Sequence, residues 1–231
     1  MKKNNLYKFI GIILMFFLGG SIIIELMKSL GINTAIFDAK DNSYLETLIY
    51  LVFLAIIYLF YRKYLRADFK EIKNGYKYYI KIVLKYFAIF FIVKTGAAIL
   101  TTILSNILNI QIAESENQNL IIDNLKASPI MTIILAVILA PIVEEGIFRL
   151  SLRKVINNKY LFILCSGLFF GFIHVFPTDI YIVEALLYSI VYVAVGICFA
   201  YIYVETDNIY VNIFIHALNN LLSILMLLII L

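Results

Sequence analysis

Seven long apolar stretches, separated by short polar segments, dominate this chain of 231 residues. They run roughly over Phe9–Met27, Leu45–Tyr61, Ile82–Leu108, Ile130–Val155, Leu161–Phe176, Ile180–Val204 and Ile209–Leu231. A helix needs about 20 mostly apolar residues to cross the hydrocarbon core of a bilayer. None of the stretches alternates apolar and polar residues as a barrel strand does, so their backbone groups must be satisfied within helices. The expected fold is all-α: a polytopic transmembrane helical bundle of about seven spanning helices. It forms a single integral membrane domain over residues 1–231, with three N-terminal helices in 9–108 and a four-helix core in 130–231.

Composition agrees. The chain is 63% hydrophobic and 15% charged, against roughly 45–50% and about 25% in soluble domains. A water-soluble globule, a disordered chain, a disulfide scaffold and a nucleic-acid-binding domain are excluded. Cys165 and Cys198 lie in apolar stretches and read as buried thiols. The first stretch follows Lys2, Lys3 and Lys8, but it is long for a signal peptide and no small-x-small site follows it. It reads as a retained helix.

The basic residues set an orientation. Fifteen of the 19 Lys and Arg fall in the N-terminal tail, in a loop expected from Arg62 to Lys85, and in Arg149–Lys159. The positive-inside rule puts these segments and the N-terminus in the cytoplasm. The polar loop expected over Asn109–Ser128, with Glu114, Glu116 and Asp123, falls outside. Lys77, Lys81 and Lys85 among tyrosines mark a helix start at the membrane surface.

Ionisable residues inside a span are costly, and each is a functional candidate. Here they are Glu25, Lys94, Glu144, Glu145, Arg149, His174, Glu184 and His216, joined by Asn219 and Asn220. Glu145 and Arg149 are four apart and can pair on one helix face. Glu144 points about 100° away. An unpaired carboxylate in a low dielectric is a plausible proton acceptor near neutral pH, whereas a helix end at the interface would make the same residues inexpensive. His174 follows Phe170 by four residues, the spacing of a core histidine that donates to a backbone carbonyl and packs on a ring. Asn157 and Asn158 form a natural turn, and across it Glu144 and His174 would lie about 3 Å apart in depth. Pro177 is expected to end the His174 helix inside the bilayer. His216 and Asn220 share a face in HALNN. They can hold an oxyanion or serve as interhelical glue.

EEGIFR, FGFIH and HALNN occur in that order on three apolar stretches. They resemble the Glu-Glu-x-x-x-Arg, Phe-x-x-x-His and His-x-x-x-Asn signatures of the CPBP family, the CAAX proteases and bacteriocin-processing proteins also called Abi. The resemblance covers roughly Ile130–Leu231 and implies an intramembrane endopeptidase. It makes Glu144 the catalytic carboxylate, with His174, His216 and Asn220 completing the site. Glu145, Arg149 and Phe170 support it. On this reading Glu144, assisted by His174, deprotonates a water, and His216 with Asn220 stabilises the oxyanion.

No cofactor is expected. Zinc is the alternative, held by His174, His216 and Glu144, although no His-Glu-x-x-His motif is present. The expected partners are the lipid bilayer and a membrane-associated peptide or protein, cut toward the cytoplasmic half of the cell membrane. Nucleic acid is not expected. The abundance of Ile, Lys, Asn and Tyr suggests an AT-rich bacterial genome. Two other classes compete: a non-catalytic bacteriocin immunity or scaffold protein, and a proton-coupled transporter that would draw on Lys94 and Glu184.

Overall fold

The computed structural model of the chain describes residues 2–34, 37, 39–110, 116–175 and 182–230. They form eight helices, with no strand among the described residues. The helices are α1 (Lys2–Ser29), α2 (Ala39–Asn74), α3 (Tyr76–Leu108), α4 (Glu116–Ala127), α5 (Pro129–Ser151), α6 (Lys159–Val175), α7 (Ile182–Thr206) and α8 (Ile209–Ile230). Six of them, α1, α2, α3, α5, α7 and α8, are long and apolar enough to cross a membrane, and α6 is a shorter apolar helix. The protein is all-α and polytopic. Phe176 and Ile180, the expected ends of two spans, lie outside the described residues.

Two segments expected as loops are helical. α2 runs on through Asn74 and α3 resumes at Tyr76, so only Gly75 breaks the helix, at φ −119° and ψ 30°. Arg, Lys, Glu and Leu are good helix formers. Their charges mark where the hydrocarbon ends, not where the helix ends. Tyr79 Oη braces this corner by donating to Glu71 Oε2 across Gly75, at 3.1 Å. The polar stretch after α3 contains α4, where Ile121 and Leu125 share a face and Leu125 is buried. Asn124 Nδ2 donates to Glu46 Oε2 at 3.4 Å.

The chain divides into two compact units. The first comprises residues 1–67, 120–155 and 216–231. Its core includes Ile12, Phe53, Ile57, Val143, Ile147 and Phe148. α1 reaches α5 through Phe16, whose ring lies 6.0 Å from that of Phe148 and 5.6 Å from that of Phe53. Tyr61 and Ser151 share a buried hydroxyl–hydroxyl bond of 2.8 Å.

The second unit comprises residues 68–119 and 156–215. α6 and α7 approach closely at glycines. A Cβ on Gly167 would collide with Ile197 Cγ1, and one on Gly171 with Val193 Cγ2. Lipid gives helices no hydrophobic reason to associate, so close backbone packing at small residues takes over. Asn158 Oδ1 caps α6 by accepting from the amides of Tyr160 and Leu161, both at 3.0 Å. Asp68 fixes the start of α8, with its carbonyl accepting from Asn208 Nδ2 and its Oδ2 from the Ile209 amide.

Candidate active site

The candidate site in the first unit begins with an irregular helix. Within α5, Ile134–Leu139 and Gly146–Ser151 are wound as π-helix on either side of α-helical Ala140–Glu145. Pro141 has no amide hydrogen, and its ring would collide with the carbonyl four residues back. The wider turn before it relieves that collision. At the second π-turn, Gly146 lies against Ile57, where a Cβ would meet two side-chain carbons at 2.9 Å. Single π-turns of this kind recur at functional sites.

This helix carries Glu144, Glu145 and Arg149 into the interior, with Glu145 and Arg149 fully buried. Arg149 Nη1 donates to Glu145 Oε1 at 3.0 Å. The pair expected from the four-residue spacing is therefore formed. The same oxygen also meets His216 Nδ1 at 3.0 Å. A carboxylate paired with arginine only accepts, so Nδ1 carries the hydrogen and donates. This fixes the ring with Nε2 toward Glu144, 3.9 Å from its Oε2. That separation is ion-pair range and too long for a direct hydrogen bond. The order Arg149, Glu145, His216, Glu144 follows the logic of a carboxylate-oriented imidazole.

α8 supplies His216 and, one turn on, Asn220. Asn220 Nδ2 donates to the Ala136 carbonyl at 2.8 Å, and its Oδ1 accepts from Asn219 Nδ2 at 2.9 Å.

Glu144, Glu145, Arg149, His216 and Asn220 thus come together in the first unit. Phe170 and His174 belong to the second. There His174 Nδ1 lies 2.8 Å from the Phe170 carbonyl. A carbonyl only accepts, so Nδ1–H donates. The imidazole packs between Phe170, at 4.2 Å, and Tyr192, at 4.9 Å between ring centroids. Pro177 lies outside the described residues. Glu25 is an exposed residue near the end of α1, paired with Lys28 at 2.7 Å. Tyr192 and the Ala136 carbonyl escape the sequence reading, because neither is within helical reach of its partner along the chain.

Among the described residues, no three His, Cys, Asp or Glu side chains are grouped to hold a metal ion.

Fold and site together define a polytopic helical membrane protein with a buried carboxylate–imidazole centre. Residues 126–222 match the family described as "Type II CAAX prenyl endopeptidase Rce1-like". The chain is 35% identical over 116 residues to "Putative membrane peptidase YdiL" of Bacillus subtilis, covering 49% of this chain and 43% of that protein. It is 31% identical over 182 residues to "UPF0177 protein YvdC" of Lactococcus lactis subsp. lactis, covering 77% of this chain and 64% of that protein. In each case the match spans less than two thirds of the relative's length. No solved structure matches.

Proposed function

We propose that this protein is a membrane-embedded endopeptidase that hydrolyses a peptide bond of a membrane-associated peptide or protein. The observation that carries the reading is the buried series Arg149, Glu145, His216, Glu144, with contacts of 3.0, 3.0 and 3.9 Å, inside the Rce1-like region.

Glu144 takes a proton from a water, and the water oxygen attacks the scissile carbonyl carbon. The oxyanion is held by His216 and by an N–H of Asn220. Glu145, neutralised by Arg149, fixes the His216 ring. Collapse of the tetrahedral intermediate breaks the C–N bond, and Glu144 returns its proton to the leaving amine. The motif resemblance also names His174 as a catalytic residue. No metal takes part, and the site faces the cytoplasmic half of the membrane.

The test uses the purified full chain in proteoliposomes, with peptides anchored by a prenyl group or by an apolar segment. Cleavage by the native protein that Glu144→Gln abolishes supports the reading. Cleavage indifferent to Glu144→Gln, or absent with every anchored peptide, overturns it. Activity should survive a strong chelator. Loss restored by zinc would replace the metal-free route. A preference for the prenylated peptide over its unmodified counterpart would identify lipidated C-termini as the substrate class.

A further inference from the structure

We infer that Asn220 is a positioning residue that stands in for the backbone amide Pro141 lacks, holding the distorted turn that aims Glu144 and Glu145. The inference rests on the proposed peptidase reading for its functional meaning, but its structural core is independent of it.

In the π-wound part of α5, each carbonyl is served by the amide five residues on, and the Ala140 N–H donates to Leu135 O. The next carbonyl in this register, Ala136 O, would be served by residue 141. That residue is proline and has no amide hydrogen. The amide four residues on from Ala136, that of Ala140, is already spent on Leu135. Inside a membrane a carbonyl without a donor is costly, and broken helices persist only where a neighbour satisfies the freed group. Asn220 Nδ2 does so at 2.8 Å. Its orientation is fixed in turn by Asn219 Nδ2, which donates to its Oδ1 at 2.9 Å. Glu144 lies three residues beyond Pro141, so relaxation of this turn into regular α-helix would rotate and withdraw the carboxylates. The hydrogen on Nδ2 that meets Ala136 O is separate from the second one, which the mechanism directs to the oxyanion.

A double-mutant cycle between Asn220→Ala and Pro141→Ala tests this. An alanine at 141 restores a backbone N–H that can reach Ala136 O. Thermal unfolding in detergent is read first, because it needs no substrate. Asn220→Ala in the native background should lower Tm by about 2–12 °C. In the Pro141→Ala background the drop should shrink to less than a third of that. Equal drops in both backgrounds overturn the inference, whatever the activity does. If Asn220→Ala yields no folded protein, its recovery by Pro141→Ala is the supporting result and continued failure the overturning one. Cleavage is read second. An oxyanion donor alone predicts no recovery of kcat in the double variant, whereas a positioning role predicts partial recovery with KM little changed. Absence of cleavage in the native protein would remove the peptidase reading and leave the Tm cycle as the judge of the clamp.

Discussion

α5 and the α6–α7 pair meet the membrane in opposite ways. α5 is irregular, twice widened into π-helix around Pro141 and Gly146, and buries two carboxylates and a guanidinium. α6 and α7 are regular and almost wholly apolar, and at Gly167, Gly171 and Gly196 their backbones come into contact. The first arrangement expends stability on polar groups that must each find a partner. The second gains stability from packing that leaves no room for a methyl group. On the proposed reading, the difference separates the α5 residues given a chemical role from the glycines that hold α6 against α7, and each class should fail differently when altered.

The largest expected effect belongs to Glu144. Glu144→Gln keeps the shape and removes the base, so peptide cleavage should fall about 10²–10⁴-fold while Tm stays near that of the native protein. A large fall in Tm would instead place Glu144 among the structural residues and blur the contrast between the two regions. Arg149→Met comes next. It strands the Glu145 carboxylate without its cation, at a cost of about 3–5 kcal/mol, or about 6–20 °C in Tm. Adding Glu145→Gln removes the stranded charge and should recover much of that loss. If it does not, the guanidinium is held by packing more than by its charge.

The part of this contrast that can be read in the sequence is the part encoded locally. Apolar length is imposed by bilayer thickness, so the spans are visible in the residue order. The Glu145–Arg149 pair is visible because four residues is one helical turn. Charge shows where the membrane stops, but α2 continues as helix through Asn74 because Lys, Arg and Glu favour helix in water as well. The second partner of Glu145 could not be read, since His216 lies 71 residues away and only tertiary packing joins them. Pro141 was a local sign that a carbonyl would lose its donor, yet nothing nearby indicated that Asn220 would replace it. The motif order in α5, α6 and α8 pointed to the residues of interest. The wiring among Arg149, Glu145, His216 and Glu144 came only from the fold.

The smaller effects test the frame. Gly171→Ala would drive a methyl carbon into Val193 Cγ2 and place it 3.1 Å from the Val193 backbone nitrogen. α6 and α7 must part to admit it, at about 1–3 kcal/mol, seen as a lower Tm in detergent. The same substitution at Gly96 in α3 meets nothing within 4 Å. There alanine only removes the backbone freedom of glycine in a helix interior, so Gly96→Ala should leave Tm unchanged or raise it, by up to about 1 kcal/mol. The two variants are chemically identical and differ only in what the added carbon touches. Opposite signs would show that contact between backbones holds α6 to α7. A fall of similar size at both positions would mean that glycine is needed for bending in each helix, and the account of the second unit as a close-packed frame would have to be given up.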